Sequence, residues 1–141
     1  MARIVPFNHP FMFAAGKSAA PLAAGNAVVI KPPDQAPLSA LRLAELVDGL
    51  LPTGVFIVVP GDCATGAALA SHRDVAMVAI IGSVAAGRAV MRAASETIKP
   101  LLLELGGKVK QSGFSREECL EEMLCFTQEK NVHVKFRPTV V

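Results

Sequence analysis

Along the first hundred residues, continuously apolar runs alternate with Ala- and Leu-rich stretches of helical spacing. "ARIVPF" is a short apolar run stopped by Pro6 and Pro10, and "FMFAAGKSAAPLAAG" is helix-like and closes at Gly25. "NAVVIKPP" is β-branched and ends in two prolines. In "PLSALRLAELVDGLLP" the apolar residues Leu38, Leu41, Leu43, Leu46, Val47 and Leu50 recur mainly at helical intervals, with Pro37 suited to the first turn. The alternation continues through the strand "GVFIVVPG", the helix "CATGAALASH", the strand "DVAMVAIIGS", the helix "VAAGRAVMRAAS" and the strand "KPLLLELGG". Strand runs that are apolar throughout are expected where helices cover both faces of a sheet. Five strands separated by four helices predict an α/β fold, a three-layer, doubly wound, Rossmann-like parallel sheet.

The last thirty residues break this rhythm. Ser115 stands three residues before Glu118, a capping-box spacing, and Leu120, Met123, Leu124 and Phe126 give the following helix one apolar stripe. "NVHVKF" alternates polar and apolar, as a half-solvated edge strand does. The chain is therefore expected to divide into a buried α/β body over 1–108 and an amphipathic helix-and-strand tail over 109–141.

Composition narrows the function classes. A chain of 141 residues suits one domain, and 52% hydrophobic residues supply a core of Ala, Val, Leu and Ile without Trp or Tyr. A net charge of +2 is too small to point to nucleic acid or an anionic membrane. No apolar window is long enough to span a bilayer, and "MARIVPFNHP" lacks a signal-peptide layout. Three cysteines, Cys63, Cys119 and Cys125, form neither an even set nor a CxxC pair, so a reduced, cytoplasmic setting is expected, with no metal site.

Candidate chemistry sits where strands hand over to helices, because ligands of such sheets lie beyond the strands' carboxyl ends. "VVIKPPDQAP" puts Lys31 and Asp34 there, and an acid in that place can accept hydrogen bonds from a ribose diol. "AIIGSVAAGRA" puts Gly82, Ser83 and Gly87 at a turn where backbone amides and a helix dipole can approach a phosphate. Taken singly, each is also an ordinary turn. Glu104, between "LLL" and "LGG", is a general-base candidate; its bland alternatives are a pair with a lysine such as Lys108 or a carboxylate that simply faces solvent. Asn8 in "PFNHP" can donate to a developing oxyanion or simply form the turn, while His9 reads as structural. Cys63, at a helix start, is placed where a thiolate is favoured, although an incidental thiol is the plainer reading for all three cysteines.

In order along the chain, "IVPFNHPF", "APLAAGNAVVIKPPDQAPLSALRLAEL", "LPTGVFIVVPGD", "IIGSVAAGRAV" and "LLLELGGK" closely resemble the coenzyme-binding domain of the NAD(P)-dependent aldehyde dehydrogenase superfamily. The likeness runs over residues 3–108, nearest to the branch that oxidises betaine aldehyde and amino-aldehydes. The resemblance implies that Asn8 donates to the thiohemiacetal oxyanion and that Lys31 contacts the adenosine ribose. Asp34 stands where Glu is usual, which favours NAD and leaves NADP open; Pro33 replaces a common Ser. Gly82 and Ser83 match the Gly-Ser that meets the pyrophosphate, and Gly87 lets that helix pack close. Ile81 and Val84 stand where threonines are common. Glu104 matches the base that activates water for deacylation, followed by Gly106 and Gly107.

From Val109 the resemblance jumps to the family's C-terminal tail, whose strand serves subunit assembly, although Ser115 replaces a usual Gly. The nucleophilic-cysteine motif expected between the two is not in the sequence, and none of the three cysteines sits in such a motif. The expectation is thus an aldehyde-dehydrogenase-like unit that binds NAD or NADP without oxidising aldehydes. The alternative is a non-catalytic interaction protein. Its tail strand would add to a sheet in a homo-oligomer or a full-length relative. In either case an exposed apolar patch is expected where the family's catalytic domain packs.

Overall fold

The computed structural model describes residues 1–106 together with Met123, Leu124, Phe126 and Thr127. Nine elements alternate strictly: β1 (Ala2–Ile4), α1 (Pro10–Ala23), β2 (Val28–Lys31), α2 (Leu38–Val47), β3 (Phe56–Val58), α3 (Cys63–Ser71), β4 (Val78–Gly82), α4 (Val84–Ser95) and β5 (Leu101–Leu105). The strands form one parallel sheet in the order β3-β2-β1-β4-β5. All five carboxyl ends therefore lie along one edge, and the strand order reverses between β1 and β4, the place where such sheets open a ligand crevice.

Helices cover the two faces in pairs. Val5, Ala14, Val28, Ile30 and Ala40 make the core under α1 and α2. On the opposite face, Ala2, Ala70, Val78, Ile80 and Val90 make the core under α3 and α4. The division follows from the pleat: along β1 and β4 alternate residues point to one helix pair, and along β2 the residues Val28 and Ile30 point to the other. On the helix side Ala14 of α1, Ala40 of α2 and Ala70 of α3 make these contacts, which lets those helices lie close to the sheet.

Local chemistry sets the ends of elements. Pro10 occupies the first turn of α1, where its missing N–H is not needed. Gly25, at φ 80°, closes that helix: its amide bonds to Leu22 O at 2.9 Å and that of Asn26 to Pro21 O at 3.0 Å, a Schellman arrangement. Asp62 caps α3, accepting from the Ala64 and Thr65 amides. Ser83 caps α4, accepting from the Ala86 amide at 3.1 Å.

Two expectations need correction. The α2 pattern does not run to Leu50, because Asp48 is extended and Gly49 turns at φ 76°, which leaves Leu50 77% exposed; Pro37 sits at the cap rather than in the first turn. Nor is every strand buried on both faces. Among the described residues β3 is an edge strand, packed against α2, and Ile57 is 41% exposed. The expected tail strand and the start of the tail helix lie outside the described residues. Phe126 is buried, takes a hydrogen bond on its carbonyl from Asn26 Nδ2 at 3.0 Å, and lies with its ring 5.9 Å from the Arg3 guanidinium.

Candidate functional site

At the carboxyl edge of the sheet, α3 and α4 diverge above β1 and β4 and leave a cleft of about 220 Å³. Small residues make its walls: Gly66, Ala67 and Ala70 on α3, Ala86, Ala89 and Ala93 on α4. Ile4 and Ile80 form part of its floor, and Lys31, Asp62 and Cys63 bring in its polar groups.

Lys31 is the most unusual of these. It ends β2, is only 6% exposed, and its ammonium has no hydrogen-bond or ion-pair partner among the described residues. The residue is buried while its side chain lines the cleft, so an acceptor entering there can reach the ammonium. Asp34, three residues on, is exposed in the following turn and does not line the cleft.

The α4 turn supplies a second element. The Ser83 hydroxyl oxygen is committed to the Ala86 amide, but the Val84 and Ala85 amides of the first turn have no carbonyl to bond within the helix. Gly87 is buried against β5, and a Cβ built there would stand 2.5 Å from Leu105 Cδ2. Any larger residue there would make Leu105 or α4 shift. Gly82 is different: its φ is not positive and an added Cβ would meet ordinary contacts, so the fold does not itself require glycine there.

Glu104 lies on β5, paired with Gly82's neighbour Ile81 in the sheet register. Its carboxylate does not face solvent: Oε2 meets Lys17 Nζ of α1 at 3.3 Å, and both side chains are mostly buried. A lysine partner is thus found for Glu104, although the lysine expected, Lys108, lies outside the described residues. Lys17 was missed because a pair that joins a helix to a strand nearly ninety residues away leaves no spacing signal.

Asn8 is exposed in the turn between β1 and α1, its side-chain amide without a partner among the described residues. Exposed Phe7, Phe11 and Met12 flank it. His9 stacks edge-on to Phe13 at 6.2 Å. Of the residues singled out in the sequence, the structure thus brings Lys31 and Cys63 to the cleft, which α4 walls from Ala86 onward; Gly82, Ser83 and Gly87 do not line it, and Asn8, Asp34 and Glu104 lie elsewhere along the same edge of the sheet.

Comparison with known proteins gives this edge a context. The sequence profile of the aldehyde dehydrogenase family matches residues 1–110. An aldehyde dehydrogenase from Talaromyces stipitatus is 52% identical over 108 residues, covering 77% of this chain and 21% of that protein. Human 4-trimethylaminobutyraldehyde dehydrogenase is 50% identical over 103 residues, covering 72% of this chain and 21% of its own. Among solved structures, an aldehyde dehydrogenase from Mycobacterium tuberculosis complexed with NAD+ superposes with a TM-score of 0.73 at 47% identity, over 76% of this chain and 22% of that one. PnpE in complex with nicotinamide adenine dinucleotide gives 0.74 at 49% identity, over 76% and 22%. The chain spans about a fifth of the length of the relatives it matches. Its α/β sheet is the Rossmann-like region of those enzymes, and the chain belongs to the aldehyde dehydrogenase family.

Proposed function

We propose that this chain is a nicotinamide-coenzyme-binding unit that takes the adenosine half of NAD in the cleft between α3 and α4. The observation that carries this reading is Lys31, buried and unpartnered beside a cleft walled by glycine and alanine. The residues fit the group. A flat adenine can enter between walls of small side chains, and the Lys31 ammonium can donate to ribose hydroxyls. The diphosphate meets the amino-terminal turn of α4, where the Val84 and Ala85 amides and the helix dipole favour negative charge. Gly87 supports this site indirectly, by seating α4 against β5.

Asp34, exposed three residues beyond Lys31 and outside the cleft lining, bears on the choice between coenzymes only where the ribose extends past Lys31 toward it; a carboxylate there accepts from ribose hydroxyls and repels a 2′-phosphate, which favours NAD over NADP. When bound, the nicotinamide ring supplies a hydride acceptor. On the protein side, Glu104 is the carboxylate that can take a proton from water, held by the Lys17 ammonium on the α1 side. Asn8 offers its amide N–H to a developing oxyanion.

The chain as given carries no counterpart of the family's nucleophilic-cysteine motif, so we infer that it binds coenzyme without oxidising aldehydes. Oxidation by a thiol route needs a sulfur that attacks the carbonyl, and base or oxyanion donor alone does not replace it. Calorimetric titration with NAD tests the binding. The chain has no Trp or Tyr to report binding by fluorescence.

A further inference from the structure

Cys63 is the first residue of α3 and lines the same cleft as Lys31, with its residue exposed. A thiol at a helix start is by itself unremarkable. Here it faces a space lined also by Lys31, a residue only 6% exposed whose ammonium has no anionic partner among the described residues. Among the described residues the one carboxylate lining the cleft, that of Asp62, is turned to its own helix, with Oδ1 accepting from the Ala64 amide at 2.9 Å and the Thr65 amide at 3.4 Å. The cleft therefore offers a nucleophile, a cation and about 220 Å³ of space, several times the ~30 Å³ a water molecule occupies in the liquid.

We propose that Cys63 is a site of reversible thiol modification by anionic low-molecular-weight disulfides, with Lys31 holding the carboxylate of the attached group. The Cys63 thiol gives its proton to solvent, and its thiolate sulfur attacks one sulfur of the disulfide. A new S–S bond joins Cys63 Sγ to that half, the original S–S bond breaks, and the other half leaves as a thiolate. Cys63 is oxidised and the departing half reduced, so the step needs no other reactant. A thiol donor reverses it. The attached group fills the cleft. If the cleft also takes coenzyme, as proposed above, modification and coenzyme binding exclude each other.

The test uses dithio-bis-nitrobenzoate as the anionic disulfide and dithiodipyridine as its neutral counterpart, on the full chain without coenzyme. Peptide mapping under limiting reagent is expected to place the first adduct on Cys63 rather than on Cys119 or Cys125. The rate ratio of anionic to neutral reagent at Cys63 is expected to fall about threefold or more in Lys31→Met and to be restored in Lys31→Arg. A merely structural role for Lys31 would slow or speed both reagents together. First modification at Cys119 or Cys125, or an unchanged ratio in a folded Lys31→Met, overturns the proposal. Should Lys31→Met fail to fold, loss of the anionic preference in the unaltered chain at high salt is expected instead, and its persistence overturns the proposal. Adding NAD then separates the two readings. Protection of Cys63 supports both, whereas labelling with the Lys31-dependent preference but without protection upholds the thiol site and tells against the coenzyme reading.

Discussion

Lys17 Nζ on α1 stands 3.3 Å from Glu104 Oε2 on β5, with 13% and 18% of the two side chains exposed. The pair ties the layer of α1 to the far strand of the sheet, at the edge where ligands of this fold bind. Partial burial makes it stronger than a surface pair and makes its halves costly to separate. Lys17→Met or Glu104→Gln alone removes one side of the pair. In a double-mutant cycle read by urea unfolding, the two changes are expected to couple by about 1–2 kcal/mol. Additive effects would show that the pair contributes nothing of its own.

Gly87 should resist substitution for a reason distinct from chemistry. In Gly87→Ala the new Cβ would lie 2.5 Å and 2.6 Å from the Leu105 methyl carbons and 3.1 Å from Cγ, so Leu105 or α4 must shift. Overpacking costs of about 1–3 kcal/mol exceed the ~1 kcal/mol that alanine gains in helix propensity. The variant is expected to unfold at lower urea, and Leu105→Ala in the same chain to recover part of the loss of packing strain. A more stable Gly87→Ala would mean that α4 does not need its close seat.

The two capping side chains give a paired prediction. Asp62→Ala and Ser83→Ala each remove an acceptor for helix-end amides and are expected to cost about 1 kcal/mol, while the glycine variants cost only a few tenths. Urea unfolding of the four variants checks this. Ser83→Ala should also weaken coenzyme binding by less than about tenfold, because the α4 backbone amides remain. Equal stability of all four would show that neither side chain caps its helix in solution.

Much of the architecture was legible in the sequence because the two periodicities differ so plainly. Runs such as "NAVVIKPP" and "DVAMVAIIGS" could only be buried strands once proline and glycine bounded them, and five of them between four helices fixed a parallel sheet. The miss at Leu50 came from reading spacing past Gly49, whose left-handed backbone ends the pattern. Ile57 misled for another reason: an apolar run does not say whether its strand is central or at an edge. The candidate site was legible only as separate turns. That Lys31 is buried and opens on a cleft shared with Cys63, and that Glu104 meets Lys17, depends on how α1, α3 and α4 pack, and no local spacing encodes those meetings.

Coenzyme binding is tested most directly by titrating NAD into the folded chain by calorimetry, beside Lys31→Met. The coenzyme reading predicts saturable binding that weakens about tenfold in Lys31→Met, the loss of one or two charge-assisted hydrogen bonds, while its circular dichroism is unchanged. A folded chain that takes up no NAD at millimolar concentration, or one that binds equally well without the Lys31 ammonium, would contradict it.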